Sequence, residues 1–212
     1  MDADELVVAL ADDDLFVRTA LGGYLSAAPG LRLAGLCENG EDAVQFVARE
    51  RIDVFLMDIK MPVLDGVSAT RGVLRQSPRT KVLMLTSFDD EASVKAALAA
   101  GAAGYLLKSS SPEALIDAVR AVHSGNSVIS PDQLRLLAKQ TDAPHPHARL
   151  TDSELRVVRL LCQGWSNPRI ASELYLSEST VKLRLASIGT KLGTTTRVAT
   201  ALRAMQLGLG EG

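Results

Sequence analysis

The chain has 212 residues, 47% of them hydrophobic, and 23 Lys or Arg stand against 25 Asp or Glu for a formal net charge of −2. That length holds one large domain or two small ones, and the apolar fraction supports real cores. The acidic start, Met1 to Glu5, is the reverse of a basic signal-peptide opening. The longest uncharged apolar stretch, Ala96–Leu107, has 12 residues broken by Gly101 and Gly104, too short to span a bilayer. Cys37 and Cys162 fall in different parts of the chain and read as reduced thiols, so a cytoplasmic protein without a membrane partner is expected.

Short apolar runs and amphipathic stretches alternate through residues 1–125. The runs are Leu6–Ala11, Leu31–Leu36, Val54–Met57, Val82–Leu85 and Gly104–Leu107. Near-continuous apolar character is what strands covered on both faces need. Leu115, Ile116, Val119 and Val122 trace one face of a closing helix. Five such units predict a flavodoxin-like α/β domain with a doubly wound, five-stranded parallel sheet. Asp12 and Asp13 follow the first strand, Asp58 the third, Thr86 the fourth and Lys108 the fifth. In an open parallel sheet these strand ends share one edge, where ligands bind. Three carboxylates, a hydroxyl and an ammonium there suit a hard divalent cation together with a phosphoryl group. That acidic residues commonly begin loops explains any one of these positions, but not all five.

Residues 126–148 read as a helix and linker; Thr141–Ala148 is polar and punctuated by proline. His145 and His147 lie there and are two ligands short of a metal site. Residues 149–212 are basic, with nine Lys or Arg against five Asp or Glu, whereas residues 1–148 have fourteen against twenty. The two parts are therefore expected to meet different partners. Thr151 with Glu154 forms a capping box ahead of an apolar face carrying Leu155, Val158, Leu161 and Cys162. Asn167 as cap, with Pro168 in the first turn, starts a second helix. Ser177 or Glu178 begins a third, which runs to about Leu192 and ends at Gly193. A fourth carries Val198, Ala201, Leu202 and Met205. Trp165 is expected to plug the core between helices.

The stretches Ala11 to Asp14, Met57 to Pro62 with Asp65-Gly66, Leu85 to Ser87 and Gly104 to Lys108 resemble the signature of a two-component receiver domain. The resemblance implies that Asp58 is the phosphoacceptor and that Mg2+ is bound by Asp13 directly, by Asp12 largely through water, by Asp58, and by the backbone carbonyl of Lys60. It also implies that Thr86 and Lys108 grip phosphoryl oxygens and that Tyr105 and Thr86 form the switch. Two features complicate the match. A third acid, Asp14, would permit a one-residue shift in ligation, and Ser109 follows Lys108 where receivers commonly have proline.

The second part resembles a LuxR-type DNA-binding domain through Leu150-Thr151, Glu154, Gly164, Ser166-Asn167, Ile170-Ala171, Leu174, Ser177, Ser179 to Lys182, and Lys191 to Gly193. Together the parts resemble a NarL/FixJ-type response regulator: a transcription regulator, not an enzyme. The resemblance implies a reading helix at about 178–192 that enters a major groove. Lys182, Leu183 and Ala186 would face bases or phosphates, and Thr180 and Arg184 the backbone. Leu183 and Ala186 offer only apolar contact, which suits a thymine methyl. Ser153, Arg184 and Ser187 depart from the residues usual in that family. The implied partners are a sensor histidine kinase, double-stranded DNA, a second copy of the chain after phosphorylation, and RNA polymerase as a further candidate. Val198, Leu202 and Met205 are a candidate pairing face for the dimer. Two other readings compete: a DNA-binding regulator with a silent pocket, and a Mg2+-dependent aspartyl phosphatase. Those phosphatases place both acids on the first strand, whereas here the isolated acceptor follows the third.

Overall fold

A computed structural model describes residues 5–87, 91–126, 128–129 and 150–210. The chain divides into two compact units, Met1–Ser124 and Gly125–Gly212. The first runs β1 (Leu6–Ala11), α1 (Leu15–Ala27), β2 (Leu31–Cys37), α2 (Gly40–Val47), β3 (Val54–Asp58), α3 (Gly66–Gln76), β4 (Lys81–Thr86), α4 (Glu91–Ala100), β5 (Gly104–Leu107) and α5 (Pro112–His123). All strand pairs are parallel, in the order β2-β1-β3-β4-β5. Phe55, Leu56, Met57, Leu83, Met84 and Leu85 are fully buried, because helices cover both faces of the sheet. This is the expected doubly wound fold.

Strand ends reach further than the apolar runs predict. The ladder pairs Ala11 with Cys37, Asp58 with Leu85 and Thr86 with Leu107. A neighbouring strand continues to satisfy backbone groups after the last apolar side chain, so Asp58 and Thr86 are strand residues rather than loop residues. Helix starts follow local chemistry: Asp14, Asn39, Asp65 and Ser111 cap α1, α2, α3 and α5 through side-chain acceptors, each satisfying an amide the helix leaves unpaired.

Among the described residues, the second unit has α6 (Asp152–Cys162), α7 (Asn167–Glu173), α8 (Glu178–Leu192) and α9 (Arg197–Gln206). Thr151 and Glu154 form the expected capping box. Gly193 ends α8 in a left-handed conformation, φ 69°, which glycine adopts without steric cost. Val157, Val158, Ile170, Val181, Ile188 and Ala204 build the core.

Three details differ from expectation. Ser166, not Asn167, is the N-cap of α7. Asn167 is instead buried, its N–H donating to Asn126 Oδ1 at 3.0 Å and its Oδ1 accepting from Arg197 at 2.6 Å. Trp165 packs against the core as expected but stays half-buried, with the Arg169 guanidinium 3.8 Å from its ring centroid, a cation–π arrangement. Val198 is fully buried within its own unit and so is not free to pair with another copy, whereas Met205 packs on the core but stays half-exposed. Gly125 and Asn126 belong to the second unit. The stretch Thr141–Ala148, with His145 and His147, lies outside the described residues.

Candidate functional site

The carboxyl ends of β1, β3, β4 and β5 bring the five predicted residues to one edge of the sheet. Asp12, Asp58 and Thr86 are buried, while Asp13 is exposed. One carboxylate oxygen from each of Asp12, Asp13 and Asp58 lies within 4.8 Å of the others. Lys108 Nζ stands 2.7 Å from Asp12 Oδ2 and 3.0 Å from Asp58 Oδ1. Asp12 Oδ2 is buried and makes no hydrogen bond of good geometry, so Lys108 serves it as a charge. An all-oxygen donor set of this kind, with a buried acceptor left under-satisfied, fits a hard divalent cation.

Burial pushes the Asp58 carboxyl above its ordinary range, Lys108 pulls it back through a hydrogen bond and its charge, and Asp12 adds to the rise. For Lys108, burial acts to lower the pKa, but the two carboxylates outweigh it and hold the ammonium above its usual value. The pocket therefore keeps a protonated lysine beside a carboxylate that is costly to ionise.

Asp14 is occupied elsewhere. Its Oδ1 accepts from the N–H groups of Phe16 and Val17 at 2.8 and 3.3 Å, and its own N–H donates to Asp12 Oδ1 at 3.0 Å. One oxygen of the Asp14 carboxylate is thus committed to capping α1. Asp65 caps α3 by accepting from Ser68 N–H at 2.9 Å, a bond that lowers its pKa. Gly66 N–H donates to the Ile59 carbonyl at 2.9 Å, folding the loop back beneath Asp58. Exposed Lys60 and Asp13 line a cleft of about 710 Å3 beside the acids. Tyr105 is buried on β5, opposite Met84. No cis peptide occurs among the described residues, so the Lys108–Ser109 bond is trans.

Arg18 and Glu38 also belong to this site, although no motif in the sequence marks them. Arg18 lies beneath the acidic pair and is bonded to Glu38 at 2.8 Å. A signal did exist: Arg18 shares the buried face of α1 with Leu21, Gly22 and Leu25, and an arginine on an apolar stripe needs buried partners.

In the second unit, α8 turns Val181, Ile188 and Leu192 inward. Lys182, Leu183 and Ala186 are exposed, Leu183 to 73%, while Thr180 and Arg184 are half-exposed. Ser187 is also exposed, and its Oγ donates to Glu154 Oε1 at 2.9 Å. Lys191 Nζ reaches the same carboxylate at 2.7 Å. Burial acts to raise the Glu154 pKa, but Lys191, the Thr151 N–H and the two hydroxyls bring it down to about 2. Tyr175, ahead of α8, is 97% exposed with a left-handed φ of 53°.

The family model of response regulator receiver domains matches residues 8–120, and that of bacterial regulatory proteins of the LuxR family matches residues 148–204. The chain is a response regulator of the NarL/LuxR family. Among its relatives, the transcriptional regulatory protein LnrK of Bacillus subtilis is 34% identical over 95% of this chain and 97% of its own. The transcriptional regulatory protein DegU of Brevibacillus brevis is 32% identical over 98% and 96%. The crystal structure of response regulator ChrA, from a heme-sensing two-component system, is similar at a TM-score of 0.52 and 34% identity, covering 97% of this chain and 99% of that one. This response regulator thus joins a receiver domain to a helix-turn-helix domain and is a DNA-binding transcription regulator. Among its described residues no helix is long and apolar enough to cross a membrane.

Proposed function

We propose that Asp58 accepts a phosphoryl group from a sensor histidine kinase in a Mg2+-dependent reaction, and that this controls how α8 reads double-stranded DNA. The observation that carries the reading is the convergence of the three carboxylates on Lys108, 3.0 Å from Asp58. Asp13, Asp58 and the Lys60 carbonyl are the direct holders of the metal in this reading, with Asp12 acting through water. A Mg2+ ion held there would supply the positive charge that offsets the repulsion between the acids and an incoming phosphodonor.

An Asp58 oxygen attacks phosphorus; the P–N bond of the phosphohistidine breaks, and its electrons leave with the imidazole, which takes up a proton. Lys108 is a point charge suited to a phosphoryl oxygen. Thr86, at the end of β4, offers a hydroxyl to another, and Tyr105 follows its movement as the readout of the switch. The phosphorylated regulator pairs with a second copy, so that two α8 helices address two half-sites. It works in the cytoplasm, with RNA polymerase as a further partner, and has no enzymatic turnover of its own. The separation of the acid pair that follows β1 from the acceptor at the end of β3 favours this over an aspartyl phosphatase.

Incubation with a small acyl phosphate and Mg2+ tests the reading. Wild-type protein should give a retarded band on a phosphate-affinity gel and sediment towards dimer. Asp58→Asn should abolish the band, and Asp13→Ala should nearly do so. Unmodified wild-type protein at saturating Mg2+ would overturn the proposal.

A further inference from the structure

The loop that carries the acidic pair is fastened from behind. Arg18 is buried on α1, and its Nη1 donates to two main-chain carbonyls, Asp12 O at 2.6 Å and Asp13 O at 2.9 Å. Its Nη2 donates to Glu38 Oε1 at 2.8 Å. These are consecutive carbonyls of the very residues whose carboxylates lie within 4.8 Å of that of Asp58.

Other bonds tie the rest of the loop. Asp12 N–H donates to Cys37 O at 3.2 Å, Asp14 N–H to Asp12 Oδ1 at 3.0 Å, and Arg18 N–H to Asp14 O at 2.9 Å. Arg18 thus supplies the side-chain bonds to the two peptide carbonyls that the sheet and helix ladders leave open here. A peptide unit held at its carbonyl has lost much of its freedom to rotate, and with it the direction of the following Cα–Cβ bond. Asp13, whose exposed side chain has the most freedom of the three acids, gains most from this.

We infer that Arg18 is a positioning residue for the divalent cation: it fixes the Asp12–Asp13 backbone so that both carboxylates face Asp58, and Glu38 holds the guanidinium in place. The inference rests on the metal reading of the site. The fork geometry matters, because one planar guanidinium spans two carbonyls and a carboxylate, which a lysine ammonium cannot do in the same directions. Outer partners that orient metal ligands typically change metal affinity by about 10–100-fold when removed.

The test is Mn2+ binding to the full-length chain, read from the paramagnetic resonance signal of the free ion. Far-UV circular dichroism establishes that each variant is folded at the measuring temperature. Arg18→Met, close in length and apolar, should weaken binding by about tenfold or more. Arg18→Lys should restore part of the loss. Phosphorylation by an acyl phosphate should need correspondingly more Mg2+ in Arg18→Met, yet approach the wild-type rate at saturation. A purely structural arginine would lower the melting temperature and leave the affinity of the folded protein unchanged. Should Arg18→Met fail to fold, Glu38→Gln, at an exposed position, carries the test, with a weakening of roughly twofold or more expected from loosening the same support. Wild-type affinity in the folded Arg18 variant, or in Glu38→Gln if that variant must stand in, overturns the inference and leaves the metal site intact. Wild-type protein that binds no Mn2+ overturns both.

Discussion

Gly66 lies so close to the main chain of Asp58 that a Cβ at Gly66 would sit 1.8 Å from the Asp58 carbonyl oxygen. The neighbour is backbone at the end of β3, so it cannot swing aside. Gly66→Ala must therefore push the loop away from Asp58 or strain the strand. A cost of about 1–3 kcal/mol is expected from such overpacking, seen as a lower urea midpoint for the receiver, together with slower acyl-phosphate labelling. Wild-type values for both would show that the loop accommodates a methyl group.

Asp58 itself is expected to weaken the fold. A carboxyl whose pKa is raised on folding costs stability once the pH passes its unfolded value, and costs nothing when the pH is below both. Burial is the main cause of that rise. Asp58→Asn should accordingly stabilise the receiver at neutral pH, because the buried carboxyl is costly to ionise there. The gain should fade towards pH 3. Mg2+ should raise the wild-type melting temperature, by the equivalent of about 2.7 kcal/mol at a hundredfold excess over its dissociation constant, and raise that of Asp58→Asn by less. A less stable Asp58→Asn at pH 7 would contradict the account of burial.

Glu154 should behave in the opposite sense. Its pKa falls from 4.5 to about 2, so its contribution is full above the unfolded value and is lost as pH falls through the window between them. Glu154→Gln should cost the second unit about 1.5–3 kcal/mol at pH 7, the range for hydrogen bonds to a charged group. The difference from wild type should close near pH 2. A pH-independent difference would mean that the carboxylate's charge does not matter there.

Exposed Lys182 separates two modes of DNA contact. If it meets a phosphate, Lys182→Ala should weaken specific and random DNA alike and reduce the salt slope by about one. If it meets a base edge, discrimination should fall by about 1–3 kcal/mol. Fluorescence anisotropy across a salt series reads both. No change in either would remove α8 from the interface.

The strands were legible because a sheet buried on both faces writes itself as apolar runs, and its shared edge made the five pocket residues legible too. What stayed hidden depends on distance in sequence or on competition for one side chain. Glu154 meets Lys191 and Ser187 in α8, which no local pattern encodes. Asn167 has the composition of a cap, but Arg197 and Asn126 claim it, leaving Ser166 to start α7. Val198 and Met205 follow helical spacing, which marks a buried face without saying whether the partner is its own core or another chain. Arg18 was readable in principle, as the one charged residue on the buried face of α1.

Lys108 has a consequence for the field around the pocket. With Asp12, Asp13 and Asp58 ionised and Lys108 protonated, the cluster carries two negative charges in excess. A divalent cation brings it to neutrality. Replacing the single charge of Asp58 by an acyl phosphate dianion then takes it only to about −1. The potential at the sheet edge thus swings most when metal arrives and little when phosphate follows. On the reading proposed above, a partner that distinguishes the phosphorylated regulator would rely more on where groups point than on the small change in charge.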